Sequence, residues 1–371
     1  MVNHLGNWRN GEFGNFITLK RGFDLPQQKR EDGQVPIFSS SGITGTHSTA
    51  MVNAPGVITG RYGTIGEVFY AAEDFWPLNT TLFVEDFHGN DAKFIYYFLK
   101  TLEWSKFTSA SAVPGINRNT VHKETVSLPD IETQRRIAST LSMLDEKIKT
   151  NTEINDNLYA QAKAIFDNHF INIDAIPAGW RKGNLLDIAN YLNGLAMQKF
   201  RPQGNEIGLP VLKIKELRQG SCDDSSELCS LRIKPEYIIH DGDVIFSWSG
   251  SLLVDIWCGG TCGLNQHLFK VTSDIYDKWF YYLWTAHHLA RFIAIAADKA
   301  TTMGHIKREE LAKAEVLIPC EEDYTSLTSI MQPIFELIIS NRIEARKLVA
   351  LRDELLPKLM SGEIDVSAVQ L

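Results

Sequence analysis

The stretch that decides the fold runs from Leu128 to Asn151 and reads LPDIETQRRIASTLSMLDEKIKTN. Pro129 comes just before its periodic part, where a proline marks the entry to a helix. Apolar residues then recur at spacings of four, three and four, as they do on one stripe of an α-helix: Ile137, Leu141, Leu144 and Ile148. The pattern predicts a long helix over about 132–170 with one buried face.

A second helix of the same kind is predicted at the end of the chain, over about 321–361. It follows Ile318-Pro319 and carries apolar residues along its length: Ile330, Ile334, Leu337, Ile338, Leu348, Leu355 and Leu359. Pro129 and Pro319 are 190 residues apart, and so are Asn151 and Asn341. Two long helices at one fixed offset indicate that the chain is built twice.

The segments before the helices repeat as well, in the same order. The paired anchors are Val35-Pro36-Ile37 with Leu209-Pro210-Val211, Gly60-Arg61-Tyr62-Gly63 with Ser247-Trp248-Ser249-Gly250, Pro77-Leu78-Asn79 with Gly263-Leu264-Asn265, and Ile116-Asn117-Arg118 with Ile306-Lys307-Arg308. Each copy has short β-rich runs broken by glycine and proline, with one or two helices. We therefore predict an α+β protein with two tandem globular domains.

The predicted domains are residues 1–128 and 173–319, and the helical segments are 129–172 and 320–371. Two copies on one chain suggest an internal pseudo-two-fold, in which the two helices form an antiparallel coiled coil. The midpoints of the helices then fall at Asn151 and Asn341. Because a polar Asn in an apolar seam commonly fixes the register of paired helices, we predict that these two residues face each other.

Composition narrows the class of protein. The 371 residues are 44% hydrophobic and 22% charged, as in a globular protein, and no apolar run is long enough to span a bilayer. No charged-then-apolar signal sequence opens the chain, and an odd count of five cysteines argues against a disulfide framework. These features predict a cytoplasmic protein without a membrane partner.

Charge is distributed unevenly along the chain. The net charge is −8, yet residues 1–128 carry 11 basic and 12 acidic side chains, and residues 179–319 carry 16 of each. The deficit therefore lies in the helical segments. Nucleic-acid binding by the globular domains is permitted by this balance, although it is not indicated by it.

Signatures of catalysis are missing from the sequence. It contains no GxxxxGK[ST] phosphate loop, no HExxH, no GxSxG and no Asn/Asp-Pro-Pro-aromatic stretch of the kind found in methyltransferases. His287-His288 lies beside apolar residues, which favours packing over metal binding, and Cys258-x3-Cys262 is a weak zinc pattern. We predict no catalytic residue, no metal and no cofactor bound by this chain.

Polar groups on loops recur in both copies and are the candidates for a binding surface. Arg61 on a glycine-flexed turn offers a planar two-pronged donor suited to guanine edges or phosphate, while a solvated hairpin remains the alternative. The candidate DNA-binding residues are Ser39, Ser40, Ser41, Arg61, Tyr62, Thr64, Asn79, Thr80, Arg118, Asn119, Lys213, Ser247, Trp248, Ser249, Asn265, Gln266, His267, Thr301, Thr302, Lys307 and Arg308.

The duplicated pattern resembles the specificity subunits of type I restriction-modification systems over essentially the whole chain. The resemblance rests on the repeat, on the Ile-Pro or Leu-Pro entry to each helix, and on three local motifs: Gln134-Arg135-Arg136-Ile137-Ala138 followed by Leu144-Asp145, Gly60-x2-Gly63-x2-Gly66, and Leu264-Asn265-Gln266-His267. The second helix keeps Ile318-Pro319 and Asn341 but lacks the Gln-Arg-Arg portion.

The resemblance implies a non-catalytic subunit with two target-recognition domains, each reading one half of a split sequence in double-stranded DNA. The coiled coil would set the spacing and dock two adenine-methyltransferase subunits, which bring S-adenosylmethionine. Restriction subunits with ATP-driven translocase and nuclease activity would join them. The alternative is a tandem protein-interaction scaffold that never touches nucleic acid, which the acidic helices favour.

Overall fold

A computed structural model describes residues 8–108, 114–298 and 306–366. The chain forms two compact units: unit 1 consists of Met1–Glu146 and Val349–Leu371, and unit 2 of Lys147–Leu348. This division differs from the predicted boundaries at 128, 172 and 319, because both long helices contribute residues to each hydrophobic core. The helices are therefore part of the globular units and not separate segments.

Unit 1 is built from three small sheets and two short helices within its described residues. Its strands are β1 (Arg9–Glu12), β2 (Thr18–Arg21), β3 (Val35–Ser39), β4 (Gly42–His47), β5 (Gly56–Gly60), β6 (Val68–Ala71), β7 (Trp76–Pro77), β8 (Thr81–Asp86) and β9 (Thr125–Leu128), and its short helices are α1 (Ala92–Thr101) and α2 (Arg118–His122). The strand orders are β2-β8-β5-β6, β4-β3-β7 and β1-β9.

Unit 2 has the same kinds of sheets. Its strands are β10 (Arg181–Asn184), β11 (Asn190–Asn193), β12 (Leu209–Leu212), β13 (Leu228–Cys229), β14 (Ile238–Ile239), β15 (Val244–Ser247), β16 (Leu253–Ile256), β17 (Cys262–Leu264), β18 (Leu268–Thr272) and β19 (Glu315–Ile318). Its shorter helices are α4 (Leu185–Ile188), α5 (Ile214–Gln219), α6 (Lys278–His287), α7 (Leu289–Asp298) and α8 (Arg308–Ala312). The strand orders are β11-β18-β15-β16, β13-β12-β17-β14 and β10-β19.

The two units share one topology, which confirms the predicted duplication. In each, a four-stranded sheet is antiparallel throughout, and a second sheet contains one parallel pair, β3 with β7 and β12 with β17. One predicted anchor was wrong by one residue. The backbone N–H of Leu78 donates to Phe38 and that of Asn265 donates to Leu212, so Asn265 is the equivalent of Leu78.

The long helices are α3 (Ile131–Phe166, 36 residues) and α9 (Glu321–Met360, 40 residues). The Asp130 carboxylate accepts the Thr133 N–H at 3.0 Å and so caps the start of α3. Part of the predicted apolar stripe of α9 was wrong, since Ile330 is 50% and Leu337 45% exposed. The buried stripe at helical spacing is instead Leu327, Met331, Phe335 and Ile338.

The two long helices run antiparallel, as predicted. In unit 1, Arg352 Nη1 on α9 donates to Asp145 Oδ1 on α3 at 2.8 Å. In unit 2, Asn151 Nδ2 donates to the Asn341 carbonyl at 3.5 Å, and Asn341 Nδ2 donates to Asn155 Oδ1 at 3.0 Å. The two asparagines singled out at the helix midpoints therefore lie together, and Asn151 is only 1% exposed.

Each unit ties an aromatic helix to a long helix by a hydrogen bond at the same position. In unit 1, the fully buried Gln134 accepts the N–H of Asp91, the residue that caps α1. In unit 2, the Tyr324 hydroxyl accepts the N–H of Asp277, which precedes α6, at 2.6 Å. Gln134 and Tyr324 are 190 residues apart. Tyr324 thus ties α6 to α9 in unit 2, as Gln134 of the Gln-Arg-Arg motif ties α1 to α3 in unit 1.

Within residues 8–108, 114–298 and 306–366, every helix is too short or too polar to cross a bilayer.

Candidate functional site

Unit 1 has an open cleft between the end of β2, the loop after β5 and the start of α2. Its lining holds four basic residues and no acidic one among the residues the structure describes: Lys20, Arg21, Arg61, Tyr62, Leu82, Gly115, Ile116, Asn117, Arg118 and Asn119. Four predicted site residues from two distant parts of the sequence therefore meet on one surface: Arg61 and Tyr62, and Arg118 and Asn119. Such a lining suits a polyanion.

Arg61 is held in place at the centre of this cleft. Its backbone N–H donates to the Thr80 carbonyl at 2.9 Å, and its Nε donates to the Ile116 carbonyl at 3.4 Å. The guanidinium carbon lies 4.7 Å from the centroid of the Tyr62 ring. Nη1 and Nη2 have no hydrogen-bond or carboxylate partner among the described residues. The side chain is thus a two-pronged donor with a fixed orientation.

The turn that carries Arg61 depends on glycine at two positions. A Cβ at Gly60 would lie 1.9 Å from the Thr64 carbonyl oxygen, which no side chain tolerates. Gly63 has a φ of +75°, in the left-handed region that favours glycine. The Gly60-x2-Gly63 spacing therefore reflects the backbone path that presents Arg61.

The other cations of the cleft are arranged around Arg61. Arg118 begins α2 and is exposed, with Nη1 3.5 Å from the Leu19 carbonyl. Lys20 pairs with Glu85 at 2.5 Å, and these ion-paired side chains remain about two-fifths exposed. Exposed basic side chains of this kind can contact phosphates, whereas the tethered Arg61 suits a more directional contact.

A neutral histidine supports the floor of the cleft. His122 Nε2 accepts the Leu19 N–H at 2.9 Å, which fixes β2 against α2. Burial and the nearby charge of Arg118 lower the pKa of His122, so the ring stays an acceptor at neutral pH. No sequence pattern marks His122 as part of the site, because its partner Leu19 lies 103 residues away in the chain.

The remaining candidates of unit 1 lie on the neighbouring loops. Ser40 approaches the turn of Arg61, since its Oγ lies 3.2 Å from the Cβ position of Gly63. Ser39 and Ser41 bond to each other at 3.0 Å, and Thr64 is exposed. Asn79 donates to Asp24, while the Thr80 hydroxyl is buried without a partner among the described residues. Asn119 is exposed beside Arg118 in the cleft.

Unit 2 repeats the backbone of this cleft. Trp248 N–H donates to the His267 carbonyl and the Ile306 N–H donates to Trp248, as Arg61 donates to Thr80 and accepts from Ile116 in unit 1. Trp248 is therefore the equivalent of Arg61, and His267 of Thr80. The two units present different side chains from one scaffold.

The side chains around Trp248 in unit 2 form a polar and aromatic group. Trp248 Nε1 donates to Asn193 Oδ1 at 3.0 Å, and its ring lies 6.3 Å from that of His267. His267 Nδ1 lies 3.0 Å from Ser249 Oγ, and its Nε2 lies 3.4 Å from Gln266 Nε2. Asn193 was not among the predicted residues.

Three residues of unit 2 that were predicted to contact DNA have buried side chains instead. Ser247, Ser249 and Asn265 are at most 3% exposed. Ser247 Oγ donates to the carbonyls of Ser249 and Ser251, and Asn265 Oδ1 accepts the His267 N–H at 3.2 Å. Their side chains shape the loops that carry Trp248 and His267. They are not available to a ligand at the surface.

The other predicted residues of unit 2 lie apart or fall outside the description. Lys213, which directly follows β12, is ion-paired with Glu227 at 2.5 Å. Lys307 and Arg308 are exposed at the start of α8, at the position of Asn117 and Arg118 in unit 1. Thr301 and Thr302 lie outside the described residues.

The described ranges contain no group of three His, Cys, Asp or Glu side chains that could hold a metal ion. His288 packs against Trp284 at an interplanar angle of 21° and bonds to the Glu315 carbonyl at 2.8 Å. Burial lowers the pKa of His288, so it is a neutral packing residue, as its surroundings in the sequence predicted.

Comparison with known proteins gives matches to both units. The family model described as type I restriction modification DNA specificity domain matches residues 6–160 and again 177–348. The MjaIX type I restriction enzyme specificity subunit of Methanocaldococcus jannaschii is 26% identical over 75% of this chain and 70% of its own length. The HindI specificity subunit of Haemophilus influenzae is 20% identical over 71% and 75%.

A solved structure shares the fold. The type I restriction-modification S subunit from M. genitalium matches with a TM-score of 0.64 and 16% identity, and the match covers 97% of each chain. The family match confirms the resemblance seen in the repeat and the helix motifs. The alternative of a scaffold that never touches nucleic acid receives no support from these matches.

Proposed function

This chain belongs to the type I restriction modification DNA specificity family, and from that premise we propose that each of its units reads one half of a split DNA sequence. The chain is the specificity subunit, a role without chemistry of its own. Its task is to choose the site at which partner subunits act.

The observation that supports two half-sites is the equivalent backbone scaffold around Arg61 and Trp248. The same backbone hydrogen bonds hold Arg61 in unit 1 and Trp248 in unit 2. One constant scaffold therefore presents a cationic fork in one unit and an aromatic and amide group in the other. Base edges in the major groove differ in their donors and acceptors, so different side chains on one scaffold select different sequences.

The paired helices are proposed to set the spacing between the half-sites. At ~1.5 Å per residue, α3 and α9 extend over roughly 54 Å and 60 Å, more than the ~34–36 Å of one turn of DNA. The layer of Asn151, Asn155 and Asn341 fixes the register of the helices within unit 2. A fixed register would keep the spacing constant.

The partners proposed for this chain are those of its family. Two adenine-methyltransferase subunits would dock on the helices and bring S-adenosylmethionine, and restriction subunits would bring ATP-driven translocation and cleavage. The complex would act in the cytoplasm, where the DNA is. The segments that contain the long helices, 129–178 and 320–371, carry more acidic than basic residues, which suits a protein partner better than DNA on their surface.

The test is to delete this chain from its source and map methylated adenines across the genome. The proposal expects a split motif, methylated on both strands, to disappear and to return when the chain is supplied again. It also expects the chain to co-purify with a methyltransferase from the same source. An unchanged methylation map, together with no methyltransferase in the purified complex, would reject the assignment.

A further inference from the structure

The charge of the cleft differs between the units at matching positions. Arg21 pairs with Leu82, two residues after Thr80, and Asn193 pairs with Phe269, two residues after His267. Asn193 therefore holds the position of Arg21, and by the same register Leu192 holds that of Lys20. Trp248 replaces Arg61, while Arg308 matches Arg118. Three of the four cations that line the unit 1 cleft thus have no cation at the matching position of unit 2.

Arg61 is the most constrained of these cations. Its Nε donates to the Ile116 carbonyl and its guanidinium carbon lies 4.7 Å from the centroid of the Tyr62 ring, while Nη1 and Nη2 have no hydrogen-bond partner among the described residues. A phosphate contact needs no such constraint, because a flexible surface cation meets it equally well. Two parallel donors match the O6 and N7 acceptors that guanine presents in the major groove.

Trp248 cannot make that contact. Its single donor, Nε1, is already bonded to Asn193 at 3.0 Å. Gln266 and His267, which flank it, offer amide and imidazole groups in place of a guanidinium. The unit 2 cleft therefore has no fork of donors at the position where unit 1 has one.

We propose that Arg61 is a specificity-determining residue that reads one guanine in the half-site of unit 1, and that the matching base pair of the other half-site is read without an arginine–guanine contact. The inference rests on the proposed function, since it assigns a base to one of the two clefts. It makes the recognised sequence chemically asymmetric, with the guanine requirement traced to one residue.

The experiment uses the full chain assembled with its methyltransferase subunits. Methylation is measured on duplexes in which each base pair of both half-sites is varied in turn. The variants are Arg61→Gln, which removes the charge and the fork, and Arg61→Lys, which keeps the charge and loses the fork. Arg118→Gln is the matched control, because it removes an exposed cation from the same cleft.

For Arg61→Gln we expect the preference for guanine at one position of one half-site to fall by roughly 5- to 150-fold, with the other positions unchanged. For Arg61→Lys we expect a smaller fall at the same position, because an ammonium group can still reach the guanine acceptors. Arg118→Gln should weaken action on all sequences alike and lower the salt dependence of binding by about one ion. Co-elution of each variant with the methyltransferase verifies that it folds and assembles, and Arg61→Lys carries the test if Arg61→Gln does not assemble.

Two results would overturn the inference while leaving the proposed function intact. One is an even loss over all sequences with either Arg61 variant, which would make Arg61 a phosphate contact. The other is a guanine preference that no assembled Arg61 variant lowers. Methylation that does not depend on this chain at all would instead reject the proposed function, so the two failures are distinguishable.

Discussion

Replacing Gln134 with methionine should strongly destabilise unit 1. The Gln134 side chain is fully buried, and it is bonded to three groups: its Oε1 accepts the Asp91 N–H at 2.9 Å, and its Nε2 donates to the Pro129 carbonyl at 2.9 Å and to Asn90 Oδ1 at 2.8 Å. Methionine has a similar length and fills the space with apolar atoms. It removes the hydrogen bonds that Gln134 makes to all three partners, of which Asn90 and Pro129 are buried.

The magnitude follows from those three groups. A buried polar group that loses its partner costs roughly 1–3 kcal/mol. Asn90 cannot easily turn to compensate, because its Nδ2 already donates to the carbonyls of Phe16 and Phe87. We therefore expect the free energy of unfolding of unit 1 to fall by about 3–5 kcal/mol, the lower part of the summed range, since some relaxation will occur.

The assay is native-state hydrogen exchange followed by mass spectrometry, because a chain with two units need not unfold in one step. Amides of α1 and of the β1–β9 pair should lose protection, while those of β15 and β18 in unit 2 should not. Arg135→Met, an exposed neighbour on α3, is the control and should change stability by no more than about 0.5 kcal/mol. A loss below about 1 kcal/mol in Gln134→Met would refute the reasoning.

Two further outcomes are expected in unit 2. Cys222 should react with iodoacetamide well before Cys258, because a hydrogen bond with the Cys262 thiol lowers the pKa of Cys222, whereas burial raises the pKa of Cys258 to about 11. Peptide mapping after labelling at pH 8 checks this prediction. Equal labelling of the two cysteines would contradict it. Burial raises the pKa of Asp241, but the hydrogen bonds and charge of Arg346 outweigh it, so the net shift is downward. The stability that this pair contributes is present above the unfolded pKa of ~3.9 and is lost as the pH falls through the lower folded pKa. The Arg346→Ala variant should therefore be less stable at neutral pH and lose less stability in acid. Urea unfolding at pH 7 and pH 3 measures both effects. An unchanged acid response in that variant would mean that the pair does not couple to folding.

The candidate site was only partly readable from the sequence. Arg61 stood out because its residue type and its glycine-flanked turn indicate a directed donor, and the structure places it at the centre of a cleft. Asn265 looked equally suitable on its chemistry, yet it is 3% exposed, since the strand pairing of β12 with β17 turns it inward. Burial of a polar side chain depends on partners far away in the chain, and local pattern does not carry that information.

The sequence by itself determined the duplication, the two long helices and their antiparallel pairing around Asn151 and Asn341, because helical periodicity and a constant offset are properties of linear order. Only the tertiary structure decided that Asn193 corresponds to Arg21 and that Asn265 corresponds to Leu78. The offset is 172 at Arg21 and Asn193, 187 at Arg61 and Trp248, and 190 at Arg118 and Arg308. Insertions in the second copy change the offset between equivalent residues. Hydrogen bonds between strands join residues distant in sequence, and they therefore show which residues are equivalent.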